Sequence, residues 1–421
     1  MSSPNRRTFL AASAAGLATA SYASANAAAN KVVVGIMGTG GRGTAHAVTF
    51  AGMPNVEVAY VCDVDTARAE KAAKAVETKT KQTPKVETDF RKMFDDKAVD
   101  AIVVATCNHW HAPATILACT AKKHVYVEKP CSHNPLEGEM MIAAAKKNDC
   151  RVQMGNQRRS FVGIQEAMQK LHEGVIGRAY LAQAWYTNTR KSIGKGEVAA
   201  VPAGLDYELW QGPAPRREFK NNYLHYNWHW FWNWGNGELG NNGIHTLDLC
   251  RWGLQAEYPT AVTSFGGNFR YVDDQETPDT HIVGYDLPGK KSIAWEGLSR
   301  NNMPNVKQFD VQFLGENGSL SIVGNGYTVQ DLAGKETGKG TGPGGDKEHV
   351  SNFLEAIRGN AKLNSEITEG HKSTMFCHLG NIAHRTGRRL LCDEKDGKVI
   401  NDPEAMKIWT REYAPGWEPK V

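Results

Sequence analysis

Three things are scarce in this chain of 421 residues, and each absence excludes a class of protein. Its eight cysteines (62, 107, 119, 131, 150, 250, 377 and 392) form no C-x-x-C pair and no paired spacing, which argues against a zinc ribbon or a disulfide framework. They read instead as small buried apolar side chains. After the first 27 residues no run of about 18 apolar residues occurs, which excludes a transmembrane helix and predicts a mature protein that is soluble. Charge of one sign is also scarce, since the formal net charge is only +4 and there is no basic block; neither nucleic acid nor an anionic membrane is implied as a partner. No internal repeat is evident, and the length is too great for one core and suits two domains.

The start of the chain reads differently from the rest. Asn5-Arg6-Arg7-Thr8-Phe9-Leu10 precedes a weakly apolar Ala/Gly/Ser stretch and Ala25-Asn26-Ala27, a small-x-small cleavage site. This order predicts a twin-arginine export signal over residues 1–27, with the export machinery as a partner and a periplasmic or otherwise exported product. Unpaired cysteines suit a protein that folds in a reducing compartment before export.

The densest motif follows. Lys31-Val32-Val33-Val34-Gly35-Ile36-Met37 reads as a buried parallel strand and residues 44–50 as the start of a helix, so Gly38-Thr39-Gly40-Gly41-Arg42-Gly43 lies at a strand-to-helix turn. In such a turn Gly38 permits the tight bend, Gly40 lets backbone N–H groups approach a pyrophosphate, and Gly43 lets the helix pack closely on the strand. A second apolar run, residues 56–62, ends in Asp63, about 20 residues after the glycines, where a carboxylate accepts the ribose hydroxyls of a dinucleotide. An acid there repels a 2′-phosphate, which favours NAD; NADP stays possible because Arg42 could offset the repulsion.

Strand and helix then alternate: helices over 66–76 and 90–94, a strand over 101–105, a helix over 112–121, a helix over 136–147 and a strand over 151–154. Thr106-Cys107-Asn108-His109-Trp110-His111 falls at the carboxyl end of a strand, where ligands of open α/β sheets bind. Two histidines without a third ligand nearby read as hydrogen-bonding or packing groups, and no metal is expected. A further strand closes on Glu128-Lys129-Pro130, which puts a lysine where a nicotinamide would lie. The second half changes to strand-like alternation at 179–186, 261–269, 281–286, 291–295, 309–314 and 319–322, predicting an open, mainly antiparallel sheet. Helices at 162–171 and 244–252 are expected to cover one face, and two more, near 348–358 and 371–385, to return to the first domain. The other face predicts a homo-oligomer, dimer or tetramer. Residues 334–345, rich in Gly and Lys, read as a mobile loop. The expected divisions are 30–154, 155–390 and a tail, 391–421, packed on both.

With these residues in place the chain resembles the Gfo/Idh/MocA oxidoreductases, named for glucose-fructose oxidoreductase and inositol dehydrogenase. The matching residues are the Gly38/Gly40/Gly43 turn, Asp63, Asn108 with His111, Glu128-Lys129-Pro130, and Gly237-Glu238-Leu239-Gly240-Asn241-Asn242-Gly243-Ile244-His245-Thr246-Leu247-Asp248. The resemblance implies an α/β protein with an N-terminal Rossmann domain and a C-terminal α+β domain, a substrate cleft at their junction, and hydride transfer between nicotinamide and a sugar or cyclitol carbon. It further implies that Lys129 and His245 hold the reacting hydroxyl. The cofactor would touch Gly38, Gly40, Gly41, Arg42, Gly43, Asp63, Thr106, Asn108, His111, Glu128 and Lys129.

The residue chemistry agrees. Oxidising a secondary alcohol needs a cation to favour the developing alkoxide, which Lys129 supplies, and a group to take the proton, for which His245 suits if it titrates near neutral pH. Two blander roles stay open: His245 as a helix cap and Lys129 as an ion-pair partner of Glu128. Asp248 reads as a packing or orienting group. Many relatives carry an aspartate four residues before the histidine; here that position is Asn241, which can bind a hydroxyl but cannot act as a base. Gln157, Arg158 and Tyr186 are further candidates for substrate contact. Residues 223–234, the stretch densest in aromatics, suit the apolar faces of a sugar or, equally, a structural plug. Export combined with a nicotinamide implies a cofactor that stays bound and is regenerated in place. That leaves three readings: an oxidoreductase working between two carbohydrates, a redox-neutral glycosidase, lyase or epimerase acting through a transient 3-keto sugar, and a carbohydrate-binding protein without catalysis.

Overall fold

The computed structural model describes residues 30–301 and 309–421, so the expected export signal lies outside the described residues. The first unit alternates β1 (Val32–Met37), α1 (Gly41–Ala51), β2 (Val56–Cys62), α2 (Thr66–Thr80), β3 (Lys85–Glu87), α3 (Arg91–Asp95), β4 (Ala101–Val104), α4 (Asn108–Thr120), β5 (His124–Val127), α5 (Pro135–Asn148) and β6 (Val152–Met154). All neighbours pair in parallel, in the order β3-β2-β1-β4-β5-β6. Val34, Ile36, Val103 and Tyr126 are fully buried, as they must be in a sheet with helices on both faces. The strand order reverses between β1 and β4, and at that switch point a crevice opens beyond the carboxyl ends of the strands.

The second unit contains α6 (Val162–His172), β7 (Ala179–Thr187), α7 (Tyr207–Gln211), α8 (Ile244–Gly253), β8 (Ala261–Gly267), β9 (Thr280–Leu287), β10 (Lys291–Leu298), β11 (Val311–Gly315), β12 (Gly318–Val323), β13 (Gly326–Asp331), β14 (Glu336–Thr341), α9 (Asp346–Ile357), α10 (Ile367–Thr386), β15 (Leu390–Leu391) and α11 (Pro403–Lys407). Its nine strands run β14-β13-β12-β11-β7-β10-β9-β8-β15, antiparallel except where β7 meets β10. Alternation is clean: Ala182, Ala184, Val283, Ile293, Trp295, Val311 and Phe313 are buried beneath α6, α8 and α10. Leu181, Ile282 and Leu314 on the other face are half-buried, and Phe265 is exposed.

Helix α9 returns to the first sheet, where the Phe353 ring packs edge to face with its centroid 5.7 Å from that of Tyr126 and 6.3 Å from that of Phe50. The last segment is pinned as well, Leu136 donating to the Trp409 carbonyl at 3.0 Å and Arg411 to Glu137 at 2.8 Å.

Several expectations change. Residues 336–341 are an edge strand hydrogen-bonded to β13, so the stretch expected to be a mobile loop is mostly sheet: Lys and Gly suit an exposed edge, and the apolar signal is missing because no face of it is buried. Helix α1 begins at Gly41 and α4 at Asn108, so Gly41 and Gly43, and Asn108, His109 and His111, sit in first helical turns. Short strands β3 and β15 carried too few residues to show a period. All eight cysteines are free, seven of them buried.

Candidate functional site

The crevice is a cleft of about 350 Å³ between the two units. One wall is the glycine turn. Gly38 has φ +84°, and a Cβ there would lie 2.7 Å from the Ala105 carbonyl oxygen; a Cβ on Gly43 would lie 1.8 Å from the Gly38 carbonyl oxygen. Both positions therefore exclude any side chain. Gly40 caps α1 without a side-chain bond, and the first turn holds no acid, which leaves N–H groups and the positive end of the helix dipole for a phosphate. Cys107 likewise leaves the start of α4 uncapped by a side chain, with Thr106, Asn108 and His111 on the cleft wall.

Asp63 ends β2 on the same wall. Its Oδ2 accepts from the Thr39 N–H at 2.6 Å and the Thr39 hydroxyl at 3.1 Å, and its Oδ1 accepts from the Asp65 N–H at 3.0 Å. The carboxylate is thus oriented in advance, and Oδ1 keeps room for a ribose hydroxyl. These features fit a dinucleotide: a cradle that a Cβ would fill, an open helix N-terminus and an oriented acid.

Arg42 behaves otherwise than expected. Its Nε donates to Glu128 Oε1 at 2.7 Å, and its two Nη atoms donate to Asp346 at 2.6 and 2.8 Å. Burial works against its charge, but Glu128 and Asp346 outweigh this and raise its pKa. A guanidinium committed in this way is not free to offset repulsion of a 2′-phosphate. Glu128 also meets His46 Nε2 at 2.7 Å; burial opposes its ionisation, yet Arg42 and His46 hold its carboxyl well below the usual range. Glu128 therefore anchors α1 and α9 to β5 and is not the hydrogen-bonded partner of the Lys129 ammonium.

Lys129 precedes Pro130 through a cis peptide bond and points across the cleft. Its Nζ donates to the Asn241 backbone oxygen at 2.7 Å and to Asn241 Oδ1 at 3.2 Å. An ammonium has three donors, so one is left for a ligand oxygen. Burial lowers its pKa, with Glu128 pulling the other way. Asn241 sits in a π-helical turn, Leu239–Gly243, that leads into α8, and its Nδ2 donates to Glu238 Oε1 at 3.3 Å. A turn of this kind widens the helix and redirects the side chains along it.

His245 is half-buried one turn beyond Asn241 and forms no side-chain hydrogen bond among the described residues, so it is not a cap. Burial and the nearby Lys129 push its pKa down to about 3, and the expected titration near neutral pH is replaced by a ring that stays neutral. Asp248 turns away: its oxygens accept from Arg159 at 2.7 to 2.9 Å and from the Ser373 hydroxyl at 2.5 Å, deep in the core.

The histidines after β4 are spent on structure. His111 sets Nδ1 2.7 Å from the Pro130 carbonyl oxygen and Nε2 3.1 Å from that of Thr106, tying the β4 and β5 loops together, which makes it a positioning group more than a direct cofactor contact. His109 meets the Trp210 carbonyl oxygen at 2.9 Å, and burial lowers its pKa to about 3. Among the described residues no cluster of three or more His, Cys, Asp or Glu could hold a metal ion.

The three weaker substrate candidates do not line the cleft. Arg158 donates to Asp310 at 2.9 Å and to the Gly324 carbonyl at 2.8 Å, on the sheet side, and is removed from the substrate set. The Tyr186 hydroxyl accepts from Asn188 at 2.8 Å and from Arg190 at 3.0 Å. Gln157 keeps a buried Oε1 without a partner.

Sequence reasoning passed over Arg190 and Glu238. Arg190 donates to Glu238 at 2.8 Å and lies over the rings of Tyr226 and Trp230, at 5.4 and 5.1 Å, forming an ion pair behind Asn241. Glu238 lies inside the glycine- and asparagine-rich motif already singled out; Arg190, 48 residues earlier, carried no signal. The aromatic stretch divides its duties. Tyr223, Phe231 and Trp234 pack with Tyr207 and Trp210 into a separate core, whereas Tyr226, Trp228 and His229 face the cleft. Residues 204–206 and this segment together strap over the Asp63 end of the cleft, where the adenosine would lie: Thr66 donates to the Gly204 carbonyl at 3.1 Å, Asp206 to that of Val64 at 2.9 Å, and His225 Nε2 lies 3.2 Å from Asp65.

Comparison with known proteins agrees with this geometry. Residues 32–156 match the profile of an oxidoreductase family with an NAD-binding Rossmann fold, and residues 183–264 and 341–418 match the profile of the C-terminal α/β domain of the same family. Inositol 2-dehydrogenase of Salmonella paratyphi B is 30% identical over 156 residues, 37% of this chain and 45% of its own length. The 2,7-anhydro-N-acetylneuraminate hydratase of Escherichia coli is 26% identical over 244 residues, 58% and 55% of the two chains. The chain thus spans about half the length of these curated relatives. The WlbA dehydrogenase of Bordetella pertussis, crystallised with NADH and UDP-GlcNAcA, shares the fold with a TM-score of 0.65 at 19% identity, over 86% of this chain and 99% of that one.

Proposed function

Because the chain belongs to the Gfo/Idh/MocA oxidoreductases, whose Rossmann domain binds NAD, we propose that it oxidises and reduces a secondary hydroxyl of a sugar or cyclitol, the nicotinamide supplying the hydride acceptor. The observation that carries this reading is Lys129, whose ammonium is held 2.7 Å from the Asn241 carbonyl with one donor left over on the cleft wall. That donor would bind the substrate oxygen and favour the alkoxide as it develops. His245, half-buried beside Lys129 and neutral, keeps a ring lone pair with which it would accept the hydroxyl proton and return it in the reverse direction. Asn241 would hold Lys129 in place, and Tyr226 and His229 would offer faces and edges to a sugar ring.

A second reading has a specific observation behind it. Asn241 stands where many relatives carry an acid, and the net reaction of a hydratase, such as the relative from Escherichia coli, is redox-neutral. Oxidation at C3 of a glycoside acidifies the adjacent C–H; loss of that proton and of the aglycone, addition of water, and reduction at C3 would then close the cycle. Both readings are supported by the strap over the adenosine side, which opposes nucleotide exchange, and by Arg6-Arg7, which would send a folded, loaded enzyme to the periplasm. The open sheet face with Phe265 supports a homo-oligomer.

The test is mass spectrometry of the nucleotide released on denaturing protein purified without added cofactor, followed by assay of sugar pairs and aryl glycosides. Near-stoichiometric NAD(H) with product from a sugar pair supports the first reading; aglycone release without net change in bound NADH supports the second. Protein that binds NAD but converts neither class overturns both.

A further inference from the structure

A second cavity, of about 270 Å³, shares no wall with the cleft. It lies between the His133–Pro135 segment of the β5–α5 connection, residues 232–236, the last turns of α10 and residues 407–412. Its size is close to the lower end of small-molecule sites, about 300 Å³.

The floor is polar and unsatisfied. Asn236 and Asn381, each 5% exposed, present Oδ1 atoms that accept no hydrogen bond. Their orientation is fixed, because Asn236 Nδ2 donates to the His133 carbonyl at 2.9 Å and Asn381 Nδ2 to the Asn236 carbonyl at 2.9 Å. Both nitrogens of His133 are buried and unpartnered. Arg411 spends Nε on Glu137 and Nη2 on the His109 carbonyl, which leaves a buried Nη1 without a partner. Buried polar groups that find no partner cost about 1–3 kcal/mol each, so a group of them in one cavity points to a ligand or to ordered water.

The mixture of groups decides the ligand class. A carboxylate or phosphate would satisfy Arg411 but turn its lone pairs on Asn236 Oδ1 and Asn381 Oδ1. An ammonium would satisfy the two amide oxygens and find Glu412 on the same wall, but it would face three cations there, Arg385, Lys407 and Arg411. A hydroxyl donates and accepts, so several on one small frame satisfy both kinds. Trp232, whose ring is covered by the Arg385 guanidinium at 5.1 Å, and Ile382 add apolar wall for C–H groups. We infer that this cavity is a second, non-catalytic binding site for a neutral polyhydroxylated molecule the size of a monosaccharide or cyclitol.

The test uses the full chain with its bound nucleotide and two probes, D-glucose and myo-inositol. Crystals grown with each probe should show it in the cavity, bonded to Asn236 and Asn381. Calorimetric titration should show a binding event weakened at least tenfold by Asn381→Leu, which removes an acceptor, and by Thr410→Trp, an exposed position on the rim that blocks the mouth. Thr410→Trp should leave turnover unchanged. Water alone in the cavity at saturating probe, acetate or phosphate binding there in preference, or probe binding that neither variant weakens would overturn the inference. Occupancy of the cavity in protein that turns over no sugar would sink the proposed function and leave this site standing.

Discussion

The Lys129 ammonium lies 2.7 Å from the Asn241 backbone oxygen and 3.2 Å from its side-chain oxygen, so one asparagine holds the cleft lysine by two bonds. Neither acceptor is charged. The cation is therefore placed without being neutralised, and burial lowers its proton affinity.

Lys129→Ala should reduce turnover by at least about 10³-fold, roughly 4 kcal/mol of transition-state stabilisation, while bound nucleotide stays near wild-type content. Steady-state rates and released NAD(H) measure the two. Loss of nucleotide together with activity would assign Lys129 to cofactor retention instead.

Asn241→Asp places a carboxylate beside the ammonium and should raise the Lys129 pKa, because an opposite charge favours the protonated form. The limb of the pH–rate profile that belongs to Lys129 should move to higher pH by about one unit or more. An unmoved limb would show that Lys129 does not titrate in the rate-determining step.

His245 is pushed down to about 3, so the imidazole is neutral throughout pH 5–9. The pH–rate profile should show no limb near the ordinary histidine value of about 6.5. His245→Ala should cost about 10²–10⁴-fold in turnover. A limb near 6.5 that vanishes in His245→Ala would overturn the assignment of a permanently neutral ring.

Glu128→Gln removes the charge that Arg42 and His46 share and should destabilise the fold by roughly 3 kcal/mol at neutral pH. The folded-state pKa of Glu128 is depressed, so its contribution is fully present above its ordinary 4.5 and is lost as pH falls through the folded value. Urea denaturation from pH 7 to pH 3 should show the gap between wild type and variant closing below about pH 4.5. A gap independent of pH would mean that packing, and not ionisation, carries the effect.

Gly43→Ala would bring a methyl group to 1.8 Å from the Gly38 carbonyl oxygen. The turn must open, and NAD content after purification should fall below a tenth of wild type, roughly 1.4 kcal/mol or more. Full NAD content would show that the turn is looser than its geometry implies.

Much of the site was legible because it rests on local rules. The glycine turn, the acid at the end of β2 and the lysine after β5 each lie at the end of an apolar strand, and a strand end in a parallel sheet is a predictable place. Asn241 and His245 were legible as a motif, though the protonation of His245 was not. What failed was partner choice. Arg42 is adjacent in sequence to the phosphate-binding turn, yet it serves Asp346, 304 residues away. Arg158 sits next to the expected cleft and serves Asp310 instead. Residues 336–341 carried no apolar period and became a strand only because β13 offered a free edge.

The sequence by itself determined the alternation of strands and helices, the positions that must be glycine, and the kinds of groups available at the strand ends, because these follow from backbone sterics and the period of burial. Only the tertiary structure decided which charges neutralise one another, that a strap of aromatics closes over the adenosine side, and that His245 stays neutral. Each of these depends on desolvation and on contacts between residues far apart in the chain, and neither is written in local order.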